Sequence, residues 1–139
     1  LFKSLHQLVE SDNIHFTYSV YPVHLMLNAD RSLVEQVLIN LLKNAHEACL
    51  NQVKPQIELK AAKVGNEVLI TVSDNGPGIS SEAMDKIFIP FYSTKPNGSG
   101  IGLSLCRQIM VRHEGKIGVE SDGKITCFKL HFPILDSGK

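Results

Sequence analysis

The sequence predicts an α+β fold in which helices lie on one face of a mostly antiparallel sheet. Two amphipathic helical stripes and two pairs of alternating strands are the observations behind this prediction. The stripes cover 33–49 and 101–113, and the strand pairs cover 57–73 and 116–132. Because a short turn joins each strand pair, hairpins outnumber crossover connections, which favours α+β over α/β.

The first half of the chain contains a predicted strand and the clearest helix. Residues 1–10 have a short helical pattern, interpreted as the end of an upstream element. Alternation over 14–20 predicts a strand limited by Pro22, and a short edge segment is considered at 25–27. Asp30 is the expected N-cap of the helix. Its apolar residues recur at i, i+3, i+4 and i+7, and they are Leu33, Val34, Val37, Leu38, Leu41, Leu42, Ala45 and Ala48.

The second half adds two hairpins around a loop and a helix. Strands over 57–64 and 67–73 flank Gly65-Asn66, which is a typical hairpin turn. A glycine turn follows at 74–80, then a short helix over 81–87 and a loop over 88–98 broken by prolines. The helix over 101–113 ends at Gly115, and strands over 116–120 and 125–132 form the last hairpin.

Composition and charge exclude several classes of protein. The 139 residues are 43% hydrophobic and 20% charged, as in a globular domain. Lys+Arg and Asp+Glu are both 14, so no global field attracts nucleic acid or an anionic membrane. No apolar run approaches the roughly 20 residues of a membrane helix. We expect a fragment of a longer cytoplasmic or membrane-anchored protein, with 1–13 an upstream linker, 14–135 the domain and 136–139 a tail.

The three cysteines form neither a zinc motif nor a redox pair. Cys49, Cys106 and Cys127 lie far apart in the sequence, with no Cys-x-x-Cys spacing. Each has apolar neighbours, so we expect buried, reduced thiols, which are typical of the cytosol.

A carboxylate followed by a glycine turn is the first candidate for binding chemistry. Asp74 ends an apolar strand and precedes Asn75-Gly76-Pro77-Gly78-Ile79. In one interpretation it only forms an Asx-turn. In the other it accepts a hydrogen bond from the amino group of a purine, and Gly78 leaves room for the base.

Two amides on the long helix are the second candidate. Asn40 and Asn44 are four residues apart and share one face, with Glu47 close to that face. Helix–helix hydrogen bonding or solvent exposure would explain them without a ligand. Because the glycine motifs are also present, we favour a ligand. An amide oxygen suits Mg²⁺ where phosphates supply the other oxygens.

A second glycine cluster opens the last helix. Backbone N–H groups of Gly98-Ser99-Gly100-Ile101-Gly102-Leu103 at a helix N-terminus would bind phosphate. A dinucleotide fingerprint is excluded because no strand directly precedes the cluster, and a P-loop because no Gly-Lys-Ser/Thr follows. The preceding segment, Phe88 to Lys95, could form a lid, with Lys95 near the γ-phosphate or simply solvated.

These motifs resemble the catalytic, ATP-binding domain of bacterial sensor histidine kinases, closest to the nitrogen-regulation type. That superfamily also includes type II topoisomerases, the Hsp90 chaperone and MutL. The N-box is 40–45, the two glycine boxes are 74–79 and 98–103, and the F-box is 88–91. The resemblance covers about 28–133. It implies the two-layer α/β sandwich called the Bergerat fold, with a mixed sheet under about three helices, and ATP and Mg as cofactors.

The resemblance also implies roles for single residues. Asn44 would bind Mg²⁺, and Asp74 would accept a hydrogen bond from the adenine amino group. Thr126 would contact the adenine ring through a water molecule. Asn40, Asn44 and Lys95 are the expected catalytic residues. The expected nucleotide-binding residues are Asn44, Glu47, Asp74, Gly76, Gly78, Ile79, Phe91, Lys95, Gly98, Ser99, Gly100, Ile101, Gly102, Leu103 and Thr126.

Three departures from the family pattern qualify these roles. The last strand motif, Gly123-Lys124-Ile125-Thr126, lacks a second glycine, and Glu47 stands where many relatives have a basic residue. ATP-hydrolysing relatives have a glutamate base at the position of Asn40. Because an amide cannot take a proton from water, this favours phosphotransfer over hydrolysis.

The expected function is that of an ATP-dependent protein-histidine kinase domain. None of the six histidines lies in the His-Glu context of an acceptor helix. The acceptor is therefore expected on a separate helical dimerisation domain, with a response regulator as indirect partner and the fragment itself a monomer. The alternatives are a serine kinase of the anti-sigma type and a non-enzymatic ATP-binding module.

Overall fold

The computed structural model describes Leu5 and residues 14–22, 29–90 and 102–134. Within these ranges the strands are β1 (His15–Tyr21), β2 (Gln56–Val64), β3 (Glu67–Asp74), β4 (Lys116–Ser121) and β5 (Thr126–Pro133). The helices are α1 (Arg31–Cys49), α2 (Ser81–Met84) and α3 (Gly102–Arg112). The predicted segment at 25–27 lies outside the described residues.

The five strands form one sheet in the order β1-β2-β3-β5-β4. β1 pairs with β2 in parallel, and every other pair is antiparallel. The parallel pair exists because α1 lies between these two strands and returns the chain to the same end of the sheet. The predicted α+β fold with a mixed, mostly antiparallel sheet is therefore confirmed.

The core lies between one face of the sheet and the helices. Alternation puts apolar side chains of the strands on this face, and α1 and α3 pack on it with their apolar stripes. Its fully buried members include Val37, Leu38, Leu41, Leu42, Ile57, Leu59, Val68, Val72, Met110, Leu130 and Phe132. Leu5, from the segment interpreted as upstream, is 2% exposed and also belongs to this core.

The opposite face of the sheet carries mainly polar side chains where it is described. Lys129 Nζ donates to Glu120 Oε1 at 2.5 Å, and His131 Nδ1 lies 3.1 Å from Glu67 Oε1. These partners occupy the outward positions of β3, β4 and β5. Exposed pairs of this kind contribute little to stability. These pairs therefore add little to holding the site residues in place.

The start of α1 is tied to the end of α3. Asp30 Oδ1 accepts from Leu33 N–H at 3.1 Å, which confirms the predicted N-cap. The Asp30 N–H donates to His113 Nε2 at 3.1 Å, and His113 Nδ1 donates to the Ile109 carbonyl at 2.9 Å. One imidazole thus joins the two helices that position the asparagines and the second glycine cluster.

The short helix differs from its predicted length. α2 begins where expected, with Ser80 Oγ accepting from Ala83 N–H at 3.1 Å, but it ends at Met84 instead of Ile87. Lys86 N–H donates to the Ala83 carbonyl and Ile89 N–H to the Lys86 carbonyl, so i to i+3 turns replace the helix.

Candidate functional site

Asp74 is a buried carboxylate at the end of β3. It is 5% exposed and lies on the helix-covered face of the sheet. Its Oδ1 accepts from Gly76 N–H at 2.9 Å, which confirms the Asx-turn interpretation. The turn and the proposed purine contact are compatible, because a carboxylate can accept several hydrogen bonds.

Thr126 lies beside Asp74 on the neighbouring strand. The two residues are register partners in the β3–β5 pair, and Thr126 is 4% exposed. Directly opposed residues of antiparallel strands have Cβ atoms about 4.5–5.5 Å apart. The structure therefore brings together the two residues expected at the adenine end, which are 52 positions apart in the sequence.

Gly76 packs against the C-terminal end of α1. A Cβ built on it would lie 2.6 Å from the Ala48 carbonyl oxygen and 2.9 Å from Asp74 Oδ1. Only a residue without a side chain allows the turn to approach the helix this closely. The turn after Asp74 is thus fixed between β3 and α1.

Gly78 and Ile79 meet the turn between β4 and β5. Gly78 has a φ of +91°, and a Cβ on it would lie 2.8 Å from Ser121 Oγ and 2.9 Å from Gly123 Cα. Ile79 N–H donates to Ser121 Oγ at 2.9 Å. The packing of two turns therefore requires glycine at position 78, whatever a bound base contacts.

Asn75 anchors the same turn to the start of β2. Its Oδ1 accepts from Gln56 N–H at 2.9 Å, and its Nδ2 donates to the Lys54 carbonyl at 2.8 Å. Asn75 belongs to the sequence motif, but no role was predicted for it. The structure shows that it restrains the backbone beside Asp74.

The asparagines of α1 lie on the side of the helix that faces α3. A Cβ on Gly102, the first residue of α3, would lie 3.5 Å from Asn40 Oδ1. The Asn40 side chain also hydrogen-bonds to the Cys106 thiol. Asn44 is half-buried one turn further along α1, and Glu47 is exposed. The first asparagine thus lies beneath the start of α3, and its bond to Cys106 is a helix–helix hydrogen bond, which was the interpretation without a ligand.

Several predicted site residues lie outside the described part of the chain. These are Phe91, Lys95, Gly98, Ser99, Gly100 and Ile101. Gly102 and Leu103 begin α3, and Leu103 packs against the core. The glycine cluster does directly precede a helix, as expected.

A separate groove of about 340 Å³ lies along α3. Phe88, Pro90, Ser104, Arg107, Gln108 and Val111 line it. It shares no residue with the cluster around Asp74. The candidate site is therefore identified by its polar residues and packed turns, not by this cavity.

Two cysteines are buried beside the site. Burial raises the pKa of Cys106 from 9.0 to about 12, although the hydrogen bond from Asn40 acts in the opposite direction. Burial also raises the pKa of Cys49, and the charge of Asp74 raises it further. All three cysteines are free. The expectation of burial is confirmed for Cys49 and Cys106 and is wrong for Cys127, which is half-buried at an outward position of β5.

These environments predict selective thiol reactivity. At pH 8 we expect a thiol reagent to modify Cys127 rapidly and Cys49 and Cys106 only as the domain unfolds, because buried thiols are not ionised. Because burial raises the pKa of Cys106 from 9.0 to about 12, the free energy of unfolding is also expected to fall as the pH rises from about 9 toward 12. Mass spectrometry of partially modified protein checks the order. Rapid native modification of Cys106 would contradict it.

The chain matches the family model described as histidine kinase-, DNA gyrase B- and HSP90-like ATPase over residues 29–136. The chain belongs to this ATPase family. The match begins just before α1 and contains all the described site residues. It confirms the resemblance inferred from the four sequence boxes.

Individual members of the family are similar in sequence and structure. Sporulation kinase C of Bacillus subtilis is 36% identical over 113 residues, which are 78% of this chain and 25% of that protein. The signal transduction histidine-protein kinase AtoS of Escherichia coli is 40% identical over 113 residues, 81% of this chain and 18% of AtoS. The chain thus spans a quarter or less of these relatives.

Solved structures of the histidine kinase ThkA have the same fold. Its nucleotide-free catalytic domain superposes with a TM-score of 0.79 at 34% identity, covering 95% of this chain and 86% of that one. ThkA has also been solved in complex with the response regulator protein TrrA. That structure superposes with a TM-score of 0.75 at 32% identity, covering 96% of this chain and 37% of the ThkA chain.

The described residues of this family member contain neither a membrane helix nor a metal cluster. None of their helices is both long and apolar enough to cross a bilayer. No three His, Cys, Asp or Glu side chains among them converge on a point where a metal ion could bind.

Proposed function

We propose that this chain is the ATP-binding catalytic domain of a protein-histidine kinase. It binds ATP with Mg²⁺ and donates the γ-phosphoryl group to a histidine on a separate helical dimerisation domain, in two-component signalling. The main support is the buried Asp74 carboxylate beside Thr126, enclosed by two turns that pack on neighbouring elements, in a chain of this ATPase family.

Asp74 and Thr126 would bind the base. The Asp74 carboxylate accepts a hydrogen bond from the exocyclic amino group of adenine, and Thr126 contacts the same side of the ring through water. A hydrogen bond to a charged group contributes about 1.5–3 kcal/mol. The anchored turn keeps this carboxylate in place before the nucleotide arrives, which lowers the entropy cost of binding.

The other end of the nucleotide would lie between α1 and α3. The N-terminus of α3 presents backbone N–H groups and a favourable dipole to phosphate. Asn44 on α1 would supply an amide oxygen to Mg²⁺, and the phosphates would supply further oxygens. The nearness of Gly102 to Asn40 supports this arrangement, because it puts the asparagine face beneath the start of α3. Lys95 and Gly100 complete the phosphate site in this proposal.

Asn44 allows a test of the metal role. Asn44→Ala is expected to remove most of the gain in ATP affinity that Mg²⁺ gives, because the cation loses its protein ligand. Calorimetric titrations of ATP with Mg²⁺ and with EDTA measure that gain. Asn51→Ala, in an exposed loop, is the matched control. Equal loss of affinity in both conditions would show that Asn44 does not act through the metal.

The transfer step is tested on the whole protein that contains this chain. Incubated with Mg²⁺ and ATP labelled at the γ-phosphate, it is expected to take label that is stable in alkali and lost in acid, as for phosphohistidine. Phosphoryl transfer depends chiefly on positioning and charge neutralisation, so the acceptor histidine must dock near the phosphates. Acid-stable label would indicate a serine kinase instead, and ATP binding without label would indicate a binding module.

Partners and location follow from the same proposal. A response regulator would receive the phosphoryl group from the acceptor histidine, and the ThkA–TrrA complex supports such a partner. The domain itself would be monomeric and would work in the cytoplasm. Free thiols, two of them buried, suit a reducing compartment.

A further inference from the structure

Ser121 joins the two halves of the base site. Its Oγ accepts from Ile79 N–H at 2.9 Å and lies 3.1 Å from Thr126 Oγ1. Ile79 ends the turn that follows Asp74, and Thr126 is the register partner of Asp74. Ser121 therefore contacts both segments that hold the carboxylate.

Asp74, Thr126 and Ser121 form one row across three strands. Thr126 pairs with Asp74 on one side and with Ser121 on the other. The burial pattern puts Asp74 and Thr126 on the helix-covered face, and the Ser121–Thr126 hydrogen bond puts Ser121 on the same side. Gly78 packs against Ser121, because a Cβ built on Gly78 would lie 2.8 Å from Ser121 Oγ. The turn thus rests on the end of this row.

Either hydroxyl can donate in the hydrogen bond between Ser121 and Thr126. The Ser121 oxygen already accepts from Ile79 N–H, and the hydroxyl has a single proton to donate. When that proton goes to Thr126 Oγ1, the proton of Thr126 is available to an acceptor on the Asp74 side. In either direction, this hydrogen bond holds the Thr126 hydroxyl against a serine whose oxygen is fixed by the turn.

We propose that Ser121 is a positioning residue for nucleotide binding. It fastens the turn after Asp74 to β4 and holds the Thr126 hydroxyl in place, so that the carboxylate and the hydroxyl face the base together. This rests on the proposed function, because it assumes that the base lies against Asp74. The sequence shows Ser121 only as the residue before an Asp-Gly turn, without any sign of this role.

Ser121→Ala is expected to weaken ADP binding roughly 3- to 10-fold, as for one or two lost neutral hydrogen bonds. Ser121→Thr retains the hydroxyl and is expected to restore affinity to within about twofold. Ser73→Ala is the matched control, because Ser73 is also half-buried but lies at an outward position of β3. Calorimetric titration well below the unfolding temperature measures all four proteins.

A nucleotide without the amino group separates positioning from general damage. Each protein is also titrated with the 5′-diphosphate of purine riboside, which cannot donate to Asp74. If Ser121 positions the carboxylate, Ser121→Ala weakens this analogue less than ADP. A purely structural loss would weaken both ligands equally and would overturn the proposal, as would ADP affinity equal to that of Ser73→Ala.

The outcomes also distinguish this inference from the proposed function. If the wild-type domain fails to bind ADP, both are overturned. If it binds ADP and Ser121→Ala binds equally well, only the role of Ser121 is overturned. Should Ser121→Ala fail to fold, as judged by circular dichroism, Ser121→Cys decides. It keeps the volume with a weaker donor and acceptor, and it must show the same ligand-dependent loss.

Discussion

Replacing Asp74 by asparagine is expected to weaken ADP binding roughly 10- to 100-fold, since a hydrogen bond to a charged acceptor is lost. The fold should survive. Asparagine has the same shape, and its Oδ1 can still accept from Gly76 N–H, as the carboxylate does at 2.9 Å. With that oxygen so placed, the new NH₂ group would face the amino group of adenine, and two donors would meet.

Calorimetric titration with ADP, beside thermal unfolding of each variant, measures this effect. Asp85→Asn makes the same chemical change at an exposed position after α2 and should bind ADP normally. Unchanged ADP affinity in Asp74→Asn would remove the residue on which the proposed base site depends. A large fall in melting temperature would mean that the carboxylate acts mainly through the turn.

The second large effect is expected for Gly76→Ala. The added Cβ would lie 2.6 Å from the Ala48 carbonyl oxygen and 2.9 Å from its carbon. Both are backbone atoms of α1 and cannot rotate away. Overpacking of this kind costs about 1–3 kcal/mol. The turn must then move off α1, so the free energy of unfolding and ADP affinity should fall together.

Denaturant unfolding followed by circular dichroism gives the stability, and titration of the folded variant gives the affinity. Gly118→Ala is a suitable control, because a Cβ on Gly118 in β4 would meet nothing within 4 Å. We expect its stability to stay within about 0.5 kcal/mol of wild type. A Gly76→Ala variant as stable as Gly118→Ala would show that the turn can move without cost.

The elements with local signals were predicted well. α1 was predicted over 33–49 with Asp30 as its cap, and the structure has Arg31–Cys49 with the Asp30 side chain on Leu33 N–H. Both hairpins formed where alternation and turn residues indicated. These features depend on side chains a few positions apart. α2 ended three residues early because competing turns also form from nearby hydrogen bonds.

The residues of the proposed base site were named from sequence motifs, but the contacts that hold them in place were not predicted. Asp74 and Thr126 were named from the sequence, whereas Ser121 and the two-sided anchoring of Asn75 appear only in the structure. Asn40 was expected to face a ligand, and in the structure its side chain bonds to Cys106 on α3. Helix periodicity predicts which face of the helix a residue occupies, but it does not predict which residue of another element it contacts.

The sequence by itself determined the element types, the faces of α1 and the glycine turns, because each depends on short-range sterics and periodicity. Only the tertiary structure decided that β1 runs parallel to β2, that Ser121 meets Ile79 and that Asp30 meets His113. The last two contacts join residues 42 and 83 positions apart. Such contacts follow from strand order and register, which the burial of the whole core selects and no local pattern specifies.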